Sequence, residues 1–362
     1  MKKVLLFGYY GYQNTGDEAI LQTVIQQLRS ALPDISLTVL TYKSEETEQK
    51  YGVKAVSRNR FIELIRGIKA CDVVVSGGGS ILQDVTSSRS LLYYLALIWL
   101  AKKMGKRVMF YGNGLGPITR FFNRHLAKHV LNQVDVITLR DFQSKEALHA
   151  LGVKKAVDVT ADIAFAMKPL EASVGKEILT AQGLHPEKRV IGISVRPWHG
   201  KERYKKVLAK TADHLQQLNY QVLFIPMQYP HDYHLSKEIC ALMKRPGVVL
   251  AHQYSPQEIL TLIGQLDLLI GMRLHALIFS AIAGVPMVGL EYENKVKSFL
   301  QLVGQKSGGV AETLEEITLW ATIEGVLQQE KKYREALSRV AADLHKKALH
   351  TRDIFEEFMM RG

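Results

Sequence analysis

A regular alternation of short apolar runs with amphipathic stretches is the feature that most constrains the fold, and it occurs twice. One series covers residues 4–159 and the other covers residues 190–290. Short apolar runs separated by helical stretches are typical of buried parallel strands with helices on both faces of the sheet. We therefore predict an α/β fold of two Rossmann-like, doubly wound domains whose strand ends face one cleft.

A polar stretch with two prolines separates the two series and suggests the domain limits. We predict an N-terminal domain over residues 1–168, a linker over 169–188 and a second domain over 189–328. Residues 329–362 have apolar side chains spaced for one helix face, which predicts a C-terminal helix able to cross back onto the first domain.

The composition disfavours several classes of protein. Cys71 and Cys240 are the only cysteines and are far apart in apolar sequence, which favours buried thiols over a disulfide framework or a zinc site. Residues 226–234 hold two histidines and an aspartate, but their spacing alone does not make a metal site, and we expect none. The longest apolar stretch, residues 91–101, is too short to cross a bilayer, and no signal peptide is visible. We expect a cytoplasmic protein.

The formal net charge is +12, and no acidic residue occurs between Val85 and Val134. This window contains Arg120, Arg124 and Lys128 together with an apolar run and two adjacent phenylalanines. Basic and apolar residues together favour attachment to an anionic membrane surface, although a core helix followed by a solvated basic turn has the same pattern. No recognised nucleic-acid-binding motif accompanies the charge, so we expect no nucleic acid partner.

Residues 266–292 have the pattern of a buried strand, a sharp turn, a short apolar helix and a second strand. Arg273 and His275 lie in the turn, where the helix is expected to begin. A helix N-terminus favours anions, and an arginine adds a planar pair of donors for phosphate or carboxylate. Histidine can exchange a proton near neutral pH. The segment therefore indicates a site for a phosphorylated or carboxylated small molecule.

A glycine-rich loop with two acidic residues follows the first predicted strand, at residues 8–21. Its spacing fits neither a dinucleotide-binding loop nor a P-loop. Asp17 could cap the helix or act as a base, whereas capping is favoured for Glu18. Because carboxylates repel phosphate, this loop, which includes Gly16, suits sugar hydroxyls or base catalysis.

Two further glycine-rich turns follow predicted strands. Gly78 and Gly79 lie in the first, and Asn113 lies between two glycines in the second. Such glycines permit backbone contact with a ligand or simply a tight turn. Both interpretations remain open for these residues.

Several cations follow other predicted strands. Arg140 could bind an anion at the cleft or pair with Asp141. Arg196 and His199 follow the strand at 190–195 and could line the cleft. Lys295 could neutralise a second charge on the ligand or belong to an exposed helix start.

Four segments, in this order and spacing, resemble the polysaccharide pyruvyl transferase family: GYQNTGDEAIL, VVVSGGGSILQD, TLRDFQS and GMRLHALIFSAIAGVPMVGLEYENK. Within the family, the likeness is to bacterial enzymes that pyruvylate secondary cell wall polymers. It covers residues 1–309. The resemblance implies a glycosyltransferase-B-like fold, phosphoenolpyruvate as donor, and no cofactor or metal.

The resemblance also implies site residues. Arg273, Leu274 and His275 correspond to the family's donor-binding arginine–leucine–histidine segment. Arg140 is the best match to an upstream donor-binding arginine, with Arg196 as the alternative. The implied acceptor is a sugar with two free hydroxyls, for the cell wall enzymes N-acetylmannosamine in a lipid-linked, diphosphate-bearing precursor at the inner face of the membrane.

The chemistry of ketal formation assigns roles to these residues. The donor's carboxylate and phosphate need cations, which Arg273, Arg140 and Lys295 can supply. C3 of the enol needs an acid and the sugar hydroxyl needs a base, for which His275 and Asp17 are the candidates.

The remaining candidates serve the acceptor, and other functions stay open. Gly16, Gly78, Gly79 and Asn113 are the expected acceptor contacts. The main alternative function is a nucleotide-sugar-dependent glycosyltransferase of the same fold, because Arg273 and His275 could also hold a diphosphate. A non-enzymatic scaffold at a sugar polymer or membrane is a second alternative.

Overall fold

The structure, a computed structural model, describes residues 1–85, 87–198 and 202–361. The chain divides into two compact units: unit 1 comprises Met1–Met167 and Leu344–Gly362, and unit 2 comprises Lys168–Asp343. Each unit contains one parallel sheet with helices between its strands. The predicted α/β class with two Rossmann-like domains is confirmed.

Unit 1 contains an eight-stranded parallel sheet in its described part, in the order β3-β2-β1-β4-β6-β7-β8 with β5 beside β6. The strands are β1 Lys3–Phe7, β2 Ser36–Thr41, β3 Lys54–Ser57, β4 Val73–Ser76, β5 Gly79–Leu82, β6 Arg107–Leu115, β7 Val136–Leu139 and β8 Asp158–Val159. The helices are α1 Thr15–Ala31, α2 Ser44–Tyr51, α3 Phe61–Ala70, α4 Ser88–Lys103, α5 Phe121–Leu131 and α6 Phe142–Ala150, with a 3₁₀ turn at Ile163–Ala166.

Unit 2 contains a six-stranded parallel sheet in the order β11-β10-β9-β12-β13-β14. Its strands are β9 Val190–Ser194, β10 Gln221–Phe224, β11 Val248–Val249, β12 Leu268–Gly271, β13 Met287–Glu291 and β14 Lys306–Val310. Its helices are α7 Ala172–Ala181, α8 Arg203–Gln217, α9 His231–Ala241, α10 Pro256–Ile263, α11 Leu274–Ile282, α12 Asn294–Leu302 and α13 Glu316–Gln328, with a 3₁₀ turn at Ala311–Thr313. The last helix, α14 Glu330–Met360, begins in unit 2 and ends in unit 1.

Alternating side chains of β1 explain why the sheet of unit 1 is covered on both faces. Leu5 and Phe7 belong to an apolar cluster with α3, α4 and α5. Val4 and Leu6 belong to a second cluster with α1 and the end of α14, to which Phe355 contributes. The C-terminal helix therefore does pack on the first domain, as its apolar face predicts.

The order of the strands fixes where ligands bind in folds of this kind. In both sheets the chain winds outward in one direction and then restarts on the other side of the first strand. This creates a switch point between β1 and β4 in unit 1 and between β9 and β12 in unit 2. Ligands of open parallel sheets bind beyond the carboxyl ends of the strands at such a point.

The structure differs from the predicted domain limits at the segment that we expected to be a linker. Residues 169–188 contain the helix α7, which packs against α10, and the whole stretch belongs to unit 2. Its polar sequence reflects one exposed face of that helix. The strands β3, β5 and β14 were not predicted from the sequence either.

Candidate functional site

Arg273 is the N-cap of α11, directly after β12 at the switch point of unit 2. Its guanidinium forms a bidentate ion pair with Asp232: Nε donates to Oδ2 at 2.9 Å and Nη2 to Oδ1 at 2.6 Å. Nη2 also donates to the side-chain oxygen of Gln228 at 3.0 Å. Among the described residues, Nη1 has no hydrogen-bond partner, so one end of the guanidinium remains available to a ligand.

Asp232 holds this arginine in place and was not anticipated as a site residue. Its carboxylate is fully buried, and Oδ2 also accepts the backbone N–H groups of Met227 (3.1 Å) and Gln228 (3.0 Å). The sequence signal for Asp232 is its position in the first turn of α9, after β10, which lies beside β9 in the sheet. Asp232, the aspartate of residues 226–234, therefore orients the guanidinium of Arg273.

His275 and Leu274 occupy the first turn of α11. His275 is partly buried, whereas Leu274 packs into the core. The first-turn N–H groups of a helix have no partner within the helix and carry partial positive charge. This end of α11 therefore presents an oriented arginine and a histidine beside an electropositive helix start.

Arg196 follows β9, the strand that neighbours β12. Its guanidinium lies 4.5 Å above the ring of Tyr292 and 5.7 Å from that of Trp198. Its Nε is buried without a hydrogen-bond partner among the described residues. A buried donor that lacks a partner is costly unless a ligand supplies one. Arg196 therefore offers a donor to an anionic group at this switch point. His199 lies outside the described residues.

Lys295 lies at the start of α12, and its charge is compensated by a carboxylate. Its Nζ forms an ion pair with Glu293 at 2.7 Å and lies 5.2 Å from the ring centre of Tyr292. The site consequently gains less positive charge from Lys295 than the sequence predicted.

Asp17 lies in the first turn of α1, at the switch point of unit 1. A Cβ placed on Gly79 would lie 3.4 Å from Asp17 Oδ1, so the carboxylate is next to the backbone of the second glycine-rich loop. Glu18 is structural, because it accepts the Gly11 N–H at 2.9 Å and the Tyr51 hydroxyl at 2.6 Å. These bonds hold the loop before α1, whereas the helix itself is capped by Asn14, so the structural role of Glu18 differs from the predicted capping.

The predicted acceptor contacts from the glycine loops have mostly structural roles. The Asn113 amide is buried and donates to Ser76 Oγ (2.9 Å) and to the Gly78 carbonyl (3.1 Å), while its oxygen accepts the Tyr111 N–H. The Gly16 N–H is taken by the cap residue Asn14.

Gly78 and Gly79 have positive φ angles of 81° and 74°. A Cβ on Gly78 would lie 2.8 Å from Ile20, so close packing explains this glycine without a ligand. Gly79 is also buried, and a Cβ there would lie beside the Asp17 carboxylate.

Arg140, the predicted upstream donor-binding arginine, has two carboxylate partners. It lies in unit 1, only 8% exposed, and donates to Asp141 (3.1 Å) and Asp162 (3.0 Å). Although burial disfavours its charge, the two carboxylates raise the pKa of Arg140 above its usual value. Two carboxylates on one guanidinium leave no net positive charge for a donor. The ion-pair alternative holds, with Asp162 as an additional partner.

The basic window has an apolar tip. Phe121 and Phe122, at the start of α5, are 78% and 69% exposed, and Arg120 beside them is exposed. Arg124 instead donates to the carbonyls of Ile118 and Ala150, which makes it a structural residue. Lys128 is exposed, with its ammonium next to Gly152. The patch therefore consists of Arg120, the two phenylalanines and Lys128.

Asp84 anchors the loop that presents this tip. Its buried carboxylate accepts the N–H groups of Thr119 (2.9 Å) and Arg120 (3.0 Å), the Thr119 hydroxyl and the Asn123 amide. Burial alone would raise the pKa of Asp84, but these bonds outweigh it and lower the pKa to about 2.

An Asp84→Asn variant is expected to be less stable at pH 7, by about 2 kcal/mol, since one pKa unit corresponds to about 1.4 kcal/mol. The folded pKa lies below the unfolded one, so this stabilisation is present above pH 4 and is lost as the pH falls towards 2. Urea unfolding at pH 7, 4 and 2 measures the difference. An equal difference at all three values would contradict the assignment.

Thiols, metal-ligating groups and membrane-spanning helices would each give a further function to the residues that the structure describes. Cys71 and Cys240 are buried and not disulfide-bonded, and burial raises the pKa of each thiol to about 11. No group of three or more metal-ligating side chains occurs among the described residues. None of the described helices has the length and apolar character needed to cross a bilayer.

Comparison with known proteins gives the same family as the motifs. The family profile described as polysaccharide pyruvyl transferase matches residues 14–294. A curated relative, the amylovoran biosynthesis protein AmsJ of Erwinia amylovora, is 23% identical over 398 aligned positions, which cover 93% of this chain and 95% of AmsJ.

Solved structures show the same fold at low sequence identity. HepE of Anabaena, in complex with UDP and glucose, has a TM-score of 0.68 at 12% identity, with all of both chains covered. A putative UDP-N-acetylglucosamine 2-epimerase from Listeria monocytogenes has a TM-score of 0.67 at 13% identity and covers 96% of this chain and 94% of its own. The fold is thus of the glycosyltransferase-B type. Because the family profile matches more than three quarters of the sequence, the chain belongs to the polysaccharide pyruvyl transferase family and is a pyruvyltransferase enzyme.

Proposed function

We propose that the enzyme takes pyruvate from phosphoenolpyruvate bound at the carboxyl end of the sheet in unit 2. The observation that carries the proposal is the buried Asp232, which orients Arg273 at the start of α11. Phosphoenolpyruvate has a carboxylate and a phosphate, which suit the outer end of Arg273, the N–H groups of α11 and the guanidinium of Arg196. Arg196 replaces Arg140 as the second donor-binding arginine.

The proposed reaction converts a sugar diol into a 4,6-ketal. One hydroxyl adds to C2 of the enol while a proton from His275 reaches C3, which becomes the methyl group. Phosphate leaves from C2, and the second hydroxyl attacks C2 and closes the ring. Asp17 is the proposed base for the hydroxyl protons. This scheme requires both substrates to be bound at the same time.

The proposed acceptor is an amino sugar, N-acetylmannosamine, in a lipid-linked precursor that carries a diphosphate. The motif likeness to enzymes of secondary cell wall polymers supports this choice. AmsJ is described as an amylovoran biosynthesis protein, which together with the family supports a polysaccharide acceptor more broadly. No cofactor or metal enters this scheme.

The main alternative is a glycosyltransferase that uses a nucleotide sugar, favoured by the similar fold of HepE, which was solved in complex with UDP and glucose. Thermal unfolding with phosphoenolpyruvate, UDP or GDP separates the two functions. A ligand at a hundred times its Kd stabilises the folded state by about 2.7 kcal/mol. We expect stabilisation by phosphoenolpyruvate alone, and stabilisation by UDP or GDP alone would favour the alternative.

We also propose peripheral attachment of unit 1 to the inner face of the cell membrane through Phe121, Phe122 and Arg120. Aromatic side chains insert at the bilayer interface, and basic residues are attracted to anionic lipid. The double variant Phe121→Ser/Phe122→Ser and the variant Arg120→Glu are expected to weaken sedimentation with phosphatidylglycerol vesicles about tenfold or more.

The matched control for this test is Lys54→Glu, which reverses an exposed charge on β3 of the same unit. Arg124 is left unchanged, because its guanidinium holds two backbone carbonyls. Vesicle binding that is insensitive to salt and equal in all variants would argue against this surface.

A further inference from the structure

Four tyrosines and one arginine form a cluster at the carboxyl edge of the sheet in unit 1, which the proposed reaction has not used. We call Tyr9, Tyr12, Tyr42, Tyr93 and Arg58 the tyrosine–arginine cluster. Tyr9 and Tyr12 follow β1, Tyr42 follows β2, Arg58 follows β3, and Tyr93 comes from α4. Three neighbouring strands thus deliver these side chains to the edge at which this fold binds ligands.

Three of the rings form a continuous stack. Tyr9 and Tyr12 are nearly parallel with centroids 4.1 Å apart, and Tyr12 and Tyr42 are 4.9 Å apart. Tyr42, the last ring, is 49% exposed. Gly11 permits the stack, because a Cβ there would lie only 2.5 Å from Thr41 Oγ1. With a larger residue at this position, the loop after β1 could not approach the end of β2 as closely. The stack is therefore a built feature that leaves a partly exposed aromatic ring.

Arg58 contributes a positive charge that no carboxylate balances among the described residues. Its guanidinium lies 4.4 Å from the centre of the Tyr93 ring and 5.6 Å from that of Tyr12, and it donates to the Tyr94 hydroxyl at 3.4 Å. The side chains that contact this guanidinium are those of Tyr12, Tyr93 and Tyr94. By contrast, Arg140 has two carboxylate partners. A half-buried guanidinium surrounded by rings suits an anionic ligand group.

Tyr94 connects the cluster with the candidate base. Its hydroxyl donates to the Gly8 carbonyl at 3.1 Å and accepts from Arg58. Burial raises the pKa of Tyr94, and the nearby charge of Asp17 adds to this effect. Tyr94 thus links Arg58 by hydrogen bonds to the loop after β1, which leads into α1 and Asp17.

We propose that the tyrosine–arginine cluster recognises the acceptor as a phosphate-bearing saccharide. A sugar ring stacks on the exposed part of Tyr42, and Arg58 binds the phosphate. This proposal rests on the proposed function, because it assigns the acceptor to unit 1 and leaves the donor in unit 2. The stacked rings supply affinity for the apolar face of a sugar without selecting one sugar over another. Arg58 selects acceptors that carry an anionic group.

Direct binding tests the cluster without any need for turnover. Isothermal titration with N-acetylglucosamine 1-phosphate is compared for wild type, Arg58→Gln, Tyr42→Ala and Tyr42→Phe. The Kd is expected to rise about thirtyfold in Arg58→Gln, since a charge-assisted hydrogen bond is lost, and about fivefold to tenfold in Tyr42→Ala. Tyr42→Phe keeps the ring and is expected to bind like wild type.

The matched control is Arg60→Gln, an exposed arginine two residues away that pairs with Glu63. It is expected to leave the Kd unchanged. Binding of phosphoenolpyruvate, measured on the same samples, is expected to be unaffected in every variant and also reports that unit 2 is folded. If phosphoenolpyruvate never binds but the sugar phosphate responds as expected, the proposed function fails and the cluster stands.

Four results would overturn the proposal. They are wild-type affinity for the sugar phosphate in Arg58→Gln or Tyr42→Ala, no binding by the wild type, weakened phosphoenolpyruvate binding in Arg58→Gln, and inorganic phosphate binding as tightly as the sugar phosphate. The third would assign the cluster to the donor, and the fourth would remove the saccharide from its ligand.

Discussion

Replacing Arg273 with glutamine is expected to lower kcat/KM for phosphoenolpyruvate by about a thousandfold. Two charge-assisted hydrogen bonds from Nη1 would be lost, each worth about 1.5–3 kcal/mol, and each 1.4 kcal/mol is a factor of ten. Arg273→Lys is expected to restore little, because an ammonium cannot make the bidentate contact with Asp232 and also reach the donor. Steady-state phosphate release over a range of donor concentrations measures the effect.

The stability of this variant needs its own control, because the change leaves Asp232 buried without its partner. Removing one member of a buried ion pair costs about 3–5 kcal/mol. The double variant Arg273→Gln/Asp232→Asn removes the unpaired charge and is expected to recover stability but not activity. Arg203→Gln changes an exposed arginine of unit 2 and serves as the neutral comparison. Recovery of activity in the double variant would contradict a direct role for Arg273.

Replacing His275 with glutamine is expected to lower kcat by about 10²–10⁴-fold, the usual contribution of a general acid. The Kd for phosphoenolpyruvate is expected to stay within about threefold, because the charges that hold the donor remain. Single-turnover phosphate release and calorimetric binding separate the two quantities. His185→Gln, at an exposed position of unit 2, is the matched control.

A different pattern would reassign His275. A rise in Kd with unchanged kcat would make it a binding residue, and wild-type kinetics would remove it from the site.

Asp17→Asn is expected to lower kcat in the same way without a change in donor binding, because Asp17 lies in unit 1. Unaltered turnover in Asp17→Asn would exclude Asp17 as the base.

Local patterns predicted the elements that carry the site. The strand, turn and helix around Arg273 and His275 were predicted correctly, because residues 266–292 contain the full pattern of β12, α11 and β13. Asp17 and Glu18 were likewise placed at the start of a helix. In each case the information lies within one strand–turn–helix unit, and the periodicity of apolar residues reports it.

Partners that are distant in the sequence could not be predicted in the same way. Asp232 and Arg273 are 41 residues apart and meet because β10 and β12 both neighbour β9. Likewise, the sequence does not show that Asp162, 22 residues away, brings a second carboxylate to Arg140. Local periodicity does not report the order of strands in a sheet, so it leaves open which loops face one another.

The tyrosines of the first loop illustrate the same limit. Tyr9 and Tyr12 lie beside Gly8 and Gly11 in the loop after β1, but Tyr42 and Arg58 follow other strands. Their association depends on the order β3-β2-β1. Only the fold turns scattered aromatic residues into one surface.

Phosphate release from phosphoenolpyruvate, with and without an acceptor, tests the central claim most directly. The acceptor is a lipid-linked N-acetylmannosamine–N-acetylglucosamine disaccharide, and the enzymes are wild type and His275→Ala. We predict release that depends on the acceptor and falls at least a hundredfold in the variant. Absence of release with the acceptor, together with stabilisation of the protein by UDP or GDP, would contradict phosphoenolpyruvate as the donor.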